Sequence, residues 1–348
     1  MDINGCWVLD IRYWILDIVA LISWRNEVFY KSVARSRIEK NLLMNTLVAL
    51  VQRVVKQASM EELFVNLRRR VNFLRRFIPL GVRHRFASVG RFIPQSTSYP
   101  NDDNYFLTRD HTHYTINRSD YVQWRIFYGV RDNAFAMAKT YAKDDSVILD
   151  IGASFGGFSL RLATHAANNT YRNVQVHAFE PNPAMYKRYC DNLSLNPRLT
   201  SMVHVHPVGL GSKAGKQPFK VEAINTGAGR VLKEKAERQT EVDLLRLDDF
   251  IDELNPSGIS FIKLIVEGYE PEVFKGGWNT IRKYKPPIYF EVTPEWYGEN
   301  GSTLADILDV LVPLGYQLKG EYYNELIPYD PKKFASLYQF NLFAMPVA

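Results

Sequence analysis

Residues 147–159 read VILDIGASFGGFS, and this stretch sets the fold class that the rest of the chain must satisfy. An apolar run ends in an acid, passes through closely spaced glycines and opens into a helical pattern. Glycine allows a tight turn and lets a ligand approach the main chain, because it has no Cβ. The stretch predicts a strand that leads through a ligand-binding turn into a helix, with Asp150 at the strand's carboxyl end.

A second predicted strand, residues 174–180, ends in the carboxylate of Glu180. Carboxyl ends of parallel strands meet at one edge of a sheet, where a carboxylate can accept hydrogen bonds from both hydroxyls of a ribose. A solvated surface glutamate is the alternative. The apolar run before Glu180 and the prolines at 181 and 183 favour the ribose interpretation, because they place the acid at a strand-to-helix corner.

Further strands and helices alternate downstream. The predicted strands cover 203–208, 259–266 and 287–292, and the predicted helices cover 158–167, 184–195 and 304–314. The segments 316–318 and 338–345 lack a helical pattern and predict a terminal hairpin. This order predicts an α/β fold with a Rossmann-like, seven-stranded methyltransferase sheet, mostly parallel and closed by an antiparallel C-terminal hairpin.

From about Thr115 to its end, the chain resembles the FkbM family of S-adenosylmethionine-dependent methyltransferases. The order and spacing of several short motifs carry the resemblance. They are residues 149–156, 178–183, 208–211, 247–250, 261–263, 266–270 and 276–277.

The resemblance implies S-adenosyl-L-methionine as the cofactor and a hydroxyl acceptor on a sugar, glycoconjugate or related metabolite. The residues expected to contact the cofactor are Asp150, Gly152, Ala153, Ser154, Phe155, Gly156, Glu180, Pro181, Gly209 and Leu210. The family's entry region lies over the cofactor pocket, so Asp120, Gln123 and Tyr128 are further expected to contact ligand. No metal site is predicted.

Transfer of a methyl group to an alcohol favours a general base, because the hydroxyl proton must leave. Glu267 is the first candidate, since it is the acid that ends the fourth strand. Lys263 could support it electrostatically, or act as a base if burial lowers its pKa. Glu291, at the end of the fifth strand, is the next candidate. A salt-bridged structural network of these three side chains is the alternative.

One position departs from the family pattern. Family members usually read Lys-Ile-Asp-Val-Glu-Gly in the fourth-strand motif, and this chain has Ile265 where that Asp stands. The change removes a hydrogen-bond acceptor near the sheet's carboxyl edge. Two functions therefore stay open: an active methyltransferase, or a methyltransferase-like protein with impaired or no catalysis that acts as a binding or scaffold module. A nicotinamide oxidoreductase would also use a glycine-rich turn, but it leaves the Val266–Glu270 segment unexplained.

Two histidine pairs have spacings that invite a metal hypothesis. His111 and His113 lack a nearby Cys or carboxylate partner in the sequence, so ordinary loop histidines are favoured. His204 and His206 alternate with valines and should point to one side of the third strand, towards a helix or solvent rather than a metal.

Composition indicates a globular protein with room for one large domain and a smaller one: 348 residues, of which 46% are hydrophobic. Two cysteines are too few for a disulfide framework, which favours a cytoplasmic protein. A stretch rich in Pro, Ser and Asn, from Ser88 to Asp103, predicts the boundary between the N-terminal region and the α/β domain. The expected division is a helical, locally basic region at 1–87, a linker and lead-in at 88–118, and the methyltransferase domain at 119–348.

The N-terminal region concentrates positive charge. Residues 52–85 carry nine Lys or Arg and two Glu, a balance of +7, whereas the whole chain carries +6. A capping box at 59–62 predicts a basic helix, which could bring 59–85 to an anionic membrane surface or could simply be solvated. Residues 7–24 predict an amphipathic helix that packs on protein or lies at a membrane surface. Nucleic acid is disfavoured, because no stacking pattern or nucleic-acid fold signature accompanies the basic residues.

Overall fold

The structure is a computed structural model that describes residues 94–130, 132–221, 229–232, 240–322 and 325–347. The predictions for the region 1–87, including the amphipathic helix at 7–24 and membrane contact through 59–85, lie outside these residues. Among the residues that the structure describes, no helix combines the length and apolar character needed to cross a membrane.

The described residues fall into two compact units. One contains residues 94–99, with a 3-10 turn at Ser96–Ser98, together with Phe127–Gly129. The other contains Pro100–Ile126 and the described residues from Val130 onwards, and it holds the sheets and the candidate site.

The strands of the described residues are, in chain order, β1 (Tyr105–Arg109), β2 (Thr112–Ile116), β3 (Val147–Ile151), β4 (Gln175–Phe179), β5 (Val203–His206), β6 (Gly209–Leu210), β7 (Gly215–Lys220), β8 (Arg230–Val231), β9 (Thr240–Leu245), β10 (Phe261–Leu264), β11 (Ile288–Val292), β12 (Tyr316–Tyr322), β13 (Glu325–Pro328) and β14 (Phe340–Pro346). The α-helices are α1 (Tyr121–Tyr128), α2 (Asn133–Tyr141), α3 (Ser159–Asn168), α4 (Pro183–Ser194), α5 (Leu247–Leu254), α6 (Glu270–Gly276), α7 (Trp278–Tyr284), α8 (Pro294–Glu299), α9 (Leu304–Leu311) and α10 (Pro331–Phe334).

The main sheet confirms the predicted fold class. Its strand order is β13-β12-β14-β11-β10-β3-β4-β5, and neighbours from β5 to β11 pair in parallel. β14 returns antiparallel between β11 and β12, which forms the predicted C-terminal hairpin. The sheet has one strand more than predicted, because β13 folds back onto the outer edge of β12.

Burial explains why the central strands read as continuous apolar runs. All five residues of β3 are buried, as expected when helices cover both faces of a parallel sheet. The buried core packs helices against one face through side chains such as Ile251, Phe274, Ile281 and Ile307. The polar residues Asp150, Lys263 and Glu291 all lie next to the last residue of their strands, at the carboxyl ends of the parallel sheet where ligands bind.

A second, smaller sheet has the order β6-β9-β7-β8. It contains an insertion between residues 213 and 245, with β7 and β9 pairing antiparallel. Its own apolar cluster joins Phe219 and Val231 to Tyr269, a residue of the loop after β10. This contact places the insertion beside the carboxyl edge of the main sheet.

Candidate active site

The turn after β3 adopts the left-handed backbone that its glycines predict. Gly152 and Gly156 have φ angles of 80° and 88°, and Ser154 has φ 50°. A Cβ at Gly152 would overlap the carbonyl oxygen of Ile265, so only glycine fits at this position. The main chain of the turn thus lies directly against the loop that follows β10.

Glu180 joins the ends of the first two parallel strands of the main sheet. Its Oε2 accepts a hydrogen bond from the Ser154 amide at 2.7 Å, and its Oε1 accepts one from the Asn182 amide at 2.8 Å. Burial raises the pKa of this carboxyl to about 7. The glycine turn and the second-strand acid therefore form one corner of the sheet, as the sequence predicts.

Lys263 lies beneath that corner, with its ammonium already engaged. Its Nζ lies 3.0 Å from Oδ1 of the fully buried Asp150 and donates a hydrogen bond to the Gly152 carbonyl at 2.5 Å. A buried charge is tolerated when it is paired in this way. The contact favours a positioning role for Lys263, because the ammonium holds the main chain of the turn.

Glu267 and Glu291 form a pair of mostly buried carboxyls at the strand ends. Burial, and after it the neighbouring Glu291, raise the pKa of Glu267 to about 8. Burial also raises the pKa of Glu291. Glu267 has φ 55°, which a non-glycine residue adopts only when its surroundings hold it there. Two neighbouring acids with raised pKa values, one of them on a strained backbone, are typical of a catalytic centre.

Two cavities meet at this centre, and both are lined by Gly152, Ile265 and Glu267. The larger has a volume of about 310 Å³. Its other walls include Tyr121, Arg125, Ala153, Ser154, Phe155, Lys263, Glu291 and Trp296. The smaller has a volume of about 40 Å³. Its other walls include Phe179, Glu180, Pro181, Gly209, Leu210, Phe219, Val231 and Tyr269. We call the first the open cleft and the second the inner cavity.

Most of the residues predicted for the cofactor line one of these two spaces. Gly152 lines both, residues 153–155 line the open cleft, and Glu180, Pro181 and residues 209–210 line the inner cavity. Asp150 and Gly156 line neither. Asp150 is covered by the turn and pairs with Lys263, and a Cβ at Gly156 would meet the ring of Tyr189.

The entry-region residues expected to contact ligand, Asp120, Gln123 and Tyr128, line neither the open cleft nor the inner cavity. Asp120 and Gln123 are buried and bond to main-chain amides instead: Asp120 accepts from the Gln123 amide, and Gln123 accepts from the Asn117 amide. Tyr128 belongs to the other compact unit.

Four residues of α1 were missed: Tyr121, Val122, Arg125 and Ile126 all line the open cleft. Their spacing of i, i+1, i+4 and i+5 describes one side of a helix. This spacing could have been recognised in the sequence as one side of a helix. Asp120 lies just before that helix and caps it, so it is not part of the exposed side.

His204 and His206 pack as a stacked group with His177 on the neighbouring strand. The ring centroids of His177 and His206 are 5.5 Å apart, and those of His206 and Phe250 are 5.1 Å apart. Phe250 belongs to α5, so His206 faces a helix, whereas His204 is exposed; these are the two orientations that the sequence left open. Burial lowers the pKa of His177 to about 4, which keeps this imidazole neutral.

Comparison with known proteins places the site within a family. Residues 150–318 match the model of the methyltransferase FkbM domain. The matched segment begins at Asp150, before the glycine turn, and ends in β12. It therefore contains the ends of the strands that line the two cavities.

Several known proteins are similar to this chain, among them two curated methyltransferases. Methyltransferase sdnD of Sordaria araneosa is 29% identical over 39% of this chain and 63% of its own length. Hexuronic acid methyltransferase AglP of Haloferax volcanii is 28% identical over 40% of this chain and 54% of its own length. The chain thus spans less than two thirds of the relatives it matches.

The crystal structure of methyltransferase FkbM from Methylobacillus flagellatus KT is 16% identical, covering 79% of this chain and 57% of that one with a TM-score of 0.38. The family match, together with the strand order and the glycine-and-acid corner, leads to one conclusion. Residues 150–318 carry a methyltransferase FkbM domain.

Proposed function

We propose that the protein binds S-adenosyl-L-methionine and transfers its methyl group to a hydroxyl of a sugar, glycoconjugate or related small molecule. One observation carries the proposal: the inner cavity and the open cleft meet at Gly152 and Glu267. The inner cavity has the ribose-binding carboxylate of Glu180, and the open cleft has the paired acids. A methyl donor bound across the junction would bring its reactive centre to Glu267.

The residues present fit this cofactor. Ser154 Oγ is buried and has no hydrogen-bond partner among the described residues, so it is available to a ligand. Each Glu180 oxygen accepts one amide and keeps the capacity for a second hydrogen bond. Residues 152–155 and Glu180 would therefore hold the cofactor, which supplies an electrophilic methyl group on a positively charged sulfur.

Glu267 is the proposed general base. Its pKa of about 8 means that proton uptake from a hydroxyl is better driven than it would be for an ordinary carboxylate. A positively charged ligand at the junction would favour its ionised form. Glu291 is the positioning partner: its Oε2 is buried without a hydrogen-bond partner within the described ranges, and its charge couples to Glu267.

The acceptor is proposed to be derived from a sugar. One relative is a hexuronic acid methyltransferase by name, which supports such a substrate. Aromatic side chains at the open cleft, Tyr121 and Trp296, offer flat surfaces of the kind that cover the C–H faces of sugar rings.

Calorimetry with S-adenosylhomocysteine and, in a parallel titration, NADH tests the cofactor. We expect the first to bind and the second not to bind. Transfer of labelled methyl from S-adenosylmethionine to a panel of sugars, glycosides and glycolipids then tests the reaction. Binding of NADH alone would replace the proposal with a nicotinamide enzyme.

Ile265 favours a second candidate, a methyltransferase-like binding module. The side chain lines both cavities at their junction and is apolar where the family has an acid. The proposal that the site is adapted rather than decayed predicts that Ile265→Asp lowers methyl transfer, because a third carboxylate would crowd Glu267 and Glu291. A gain of activity in this variant would favour decay, and we compare it with Ile265→Val as the conservative control.

A further inference from the structure

Arg125 is an exposed cation on the wall of the open cleft. Within the part of the chain that the structure describes, its guanidinium has no hydrogen bond or close ion pair. Its charge acts on both Glu267 and Glu291, and also on Tyr289. The guanidinium therefore faces the same space as the candidate base.

The other cations of the open cleft are neutralised by protein carboxylates. Arg161 pairs with Asp110 at 2.7 Å and with Asp132 at 3.0 Å. Lys263 pairs with the buried Asp150 at 3.0 Å. Arg109 lies 3.7 Å from Asp110 and donates to a main-chain carbonyl.

Among the described residues that line the open cleft, Arg125 is the one cation whose planar donors are not paired with a protein carboxylate, and they match the two oxygens of an incoming carboxylate. A single guanidinium balances one negative charge. A phosphate dianion would leave a charge uncompensated beside the acids Glu267 and Glu291, so a carboxylate fits better.

Tyr121 stands one helical turn before Arg125, on the same wall of the open cleft. It is half exposed, at 50%, and its ring stacks on Trp124 with centroids 6.1 Å apart and planes inclined by 19°. The Tyr121 ring is held by stacking on Trp124, and it lies on the same wall of the open cleft as the unpaired guanidinium of Arg125. A flat surface beside a cation suits a sugar ring that carries a carboxylate.

We infer that the open cleft selects a sugar acid, with Arg125 binding the acceptor's carboxylate and Tyr121 supporting its ring. The inference rests on the proposed function, since it names the substrate class of that same site. Arg125 sets specificity and orients the hydroxyl towards Glu267; it takes no part in proton transfer.

Paired acceptors test the inference: methyl glucuronide against methyl glucoside, with glucose 6-phosphate as the phosphate probe. For the wild-type protein we expect kcat/KM at least tenfold higher for the glucuronide than for either other sugar. Arg125→Gln should reduce the glucuronide-to-glucoside ratio by about tenfold to a hundredfold, mainly through KM. Arg125→Lys should retain part of the preference. Arg172→Gln is the matched control, because Arg172 is an exposed arginine whose partner, Asp144, lies outside the open cleft.

Calorimetric titration of the S-adenosylhomocysteine complex with methyl glucuronide keeps the test decisive where no acceptor in the panel is turned over. Binding that weakens at least tenfold in Arg125→Gln supports the inference. Equal affinity for glucuronide and glucoside, tighter binding of the phosphate, or an equal fall in kcat for all acceptors in Arg125→Gln would overturn it while leaving the cofactor proposal intact. Failure of S-adenosylhomocysteine to bind at all would instead remove the proposed function.

Discussion

At the scale of single residues, Glu180 performs two tasks with one carboxylate. It ties the turn after β3 to the start of α4 through two main-chain amides, and it lines the inner cavity. Burial raises its pKa to about 7, so its protonation changes near neutral pH. Loss of this side chain should therefore affect the cofactor more than it affects the rest of the fold.

We predict that Glu180→Ala weakens binding of S-adenosylhomocysteine by about 1–3 kcal/mol, because ribose hydroxyls and two protein amides lose their acceptor. Isothermal titration calorimetry measures the change. Glu253→Ala, which removes an exposed carboxylate from α5, is the control and should bind normally. Unchanged affinity in Glu180→Ala would exclude the ribose assignment.

Ionisation of Glu267 as the pH rises should increase activity and lower the stability of the fold. Its folded-state pKa of about 8 lies above the ordinary value of 4.5. The folded state therefore binds more protons than the unfolded state between these values, and the wild-type protein loses stability as the pH rises from about 4.5 to about 8. Activity that needs the ionised base should instead rise with pH through about 8.

Glu267→Gln should consequently abolish most methyl transfer and raise the melting temperature at pH 8.5 by about 2 °C or more, with a smaller gain at pH 5. Differential scanning calorimetry at both pH values measures the stability, and methyl transfer from labelled cofactor measures the activity. A variant that is inactive and also less stable at pH 8.5 would contradict the assignment of Glu267 as a buried acid under strain.

At the scale of elements, the close approach of two loops decides the site. The turn after β3 and the loop after β10 touch at Gly152 and Ile265, because their strands are neighbours in the sheet. The same contact brings Glu267 to the junction of the two cavities.

We predict that Gly152→Ala destabilises the protein by roughly 1–3 kcal/mol or more, since a Cβ has no room and φ is positive. Thermal or urea denaturation measures the effect. Gly258→Ala is the matched control: a Cβ there meets nothing within 4 Å, and the change in stability should stay within about 0.5 kcal/mol. Equal stability of the two variants would show that the loops can move apart.

At the scale of the whole molecule, β14 lies inside the main sheet and not at its edge. β14 lies between β11 and β12, and its residues Leu342, Phe343 and Ala344 are buried. Glu291 belongs to β11, so the strand that supports one of the paired acids depends on a segment far away in the sequence.

A chain ending at residue 314 should fail to unfold cooperatively, because it leaves one edge of β11 without its paired strand and exposes the apolar side chains that pack beside it. Each such buried side chain contributes about 1.5–3 kcal/mol, against a total stability of about 5–15 kcal/mol for a domain. Near-ultraviolet circular dichroism and thermal denaturation report the outcome. A chain ending at Pro346 is the control and should keep the wild-type transition; a sharp transition in the shorter chain would contradict the prediction.

The strands and their ends could be predicted well because burial on both faces leaves a direct mark in the sequence. The predicted strand at 287–292 differs by one residue from β11, and the predicted helix at 184–195 differs by one residue at each end from α4. The predicted third strand at 203–208 runs two residues past the end of β5 at His206, because the chain then leaves the main sheet and residues 209–210 join the smaller one.

The sequence by itself determined the alternation of strands and helices, the glycine turn at 152 and the acids that end the strands, since these follow from local periodicity and backbone sterics. Only the tertiary structure decided that Lys263 pairs with Asp150, that Arg125 faces the open cleft while Gln123 does not, and that Glu291 helps burial to raise the pKa of Glu267. These outcomes depend on distances between segments far apart in the chain, which hydrophobic periodicity does not encode.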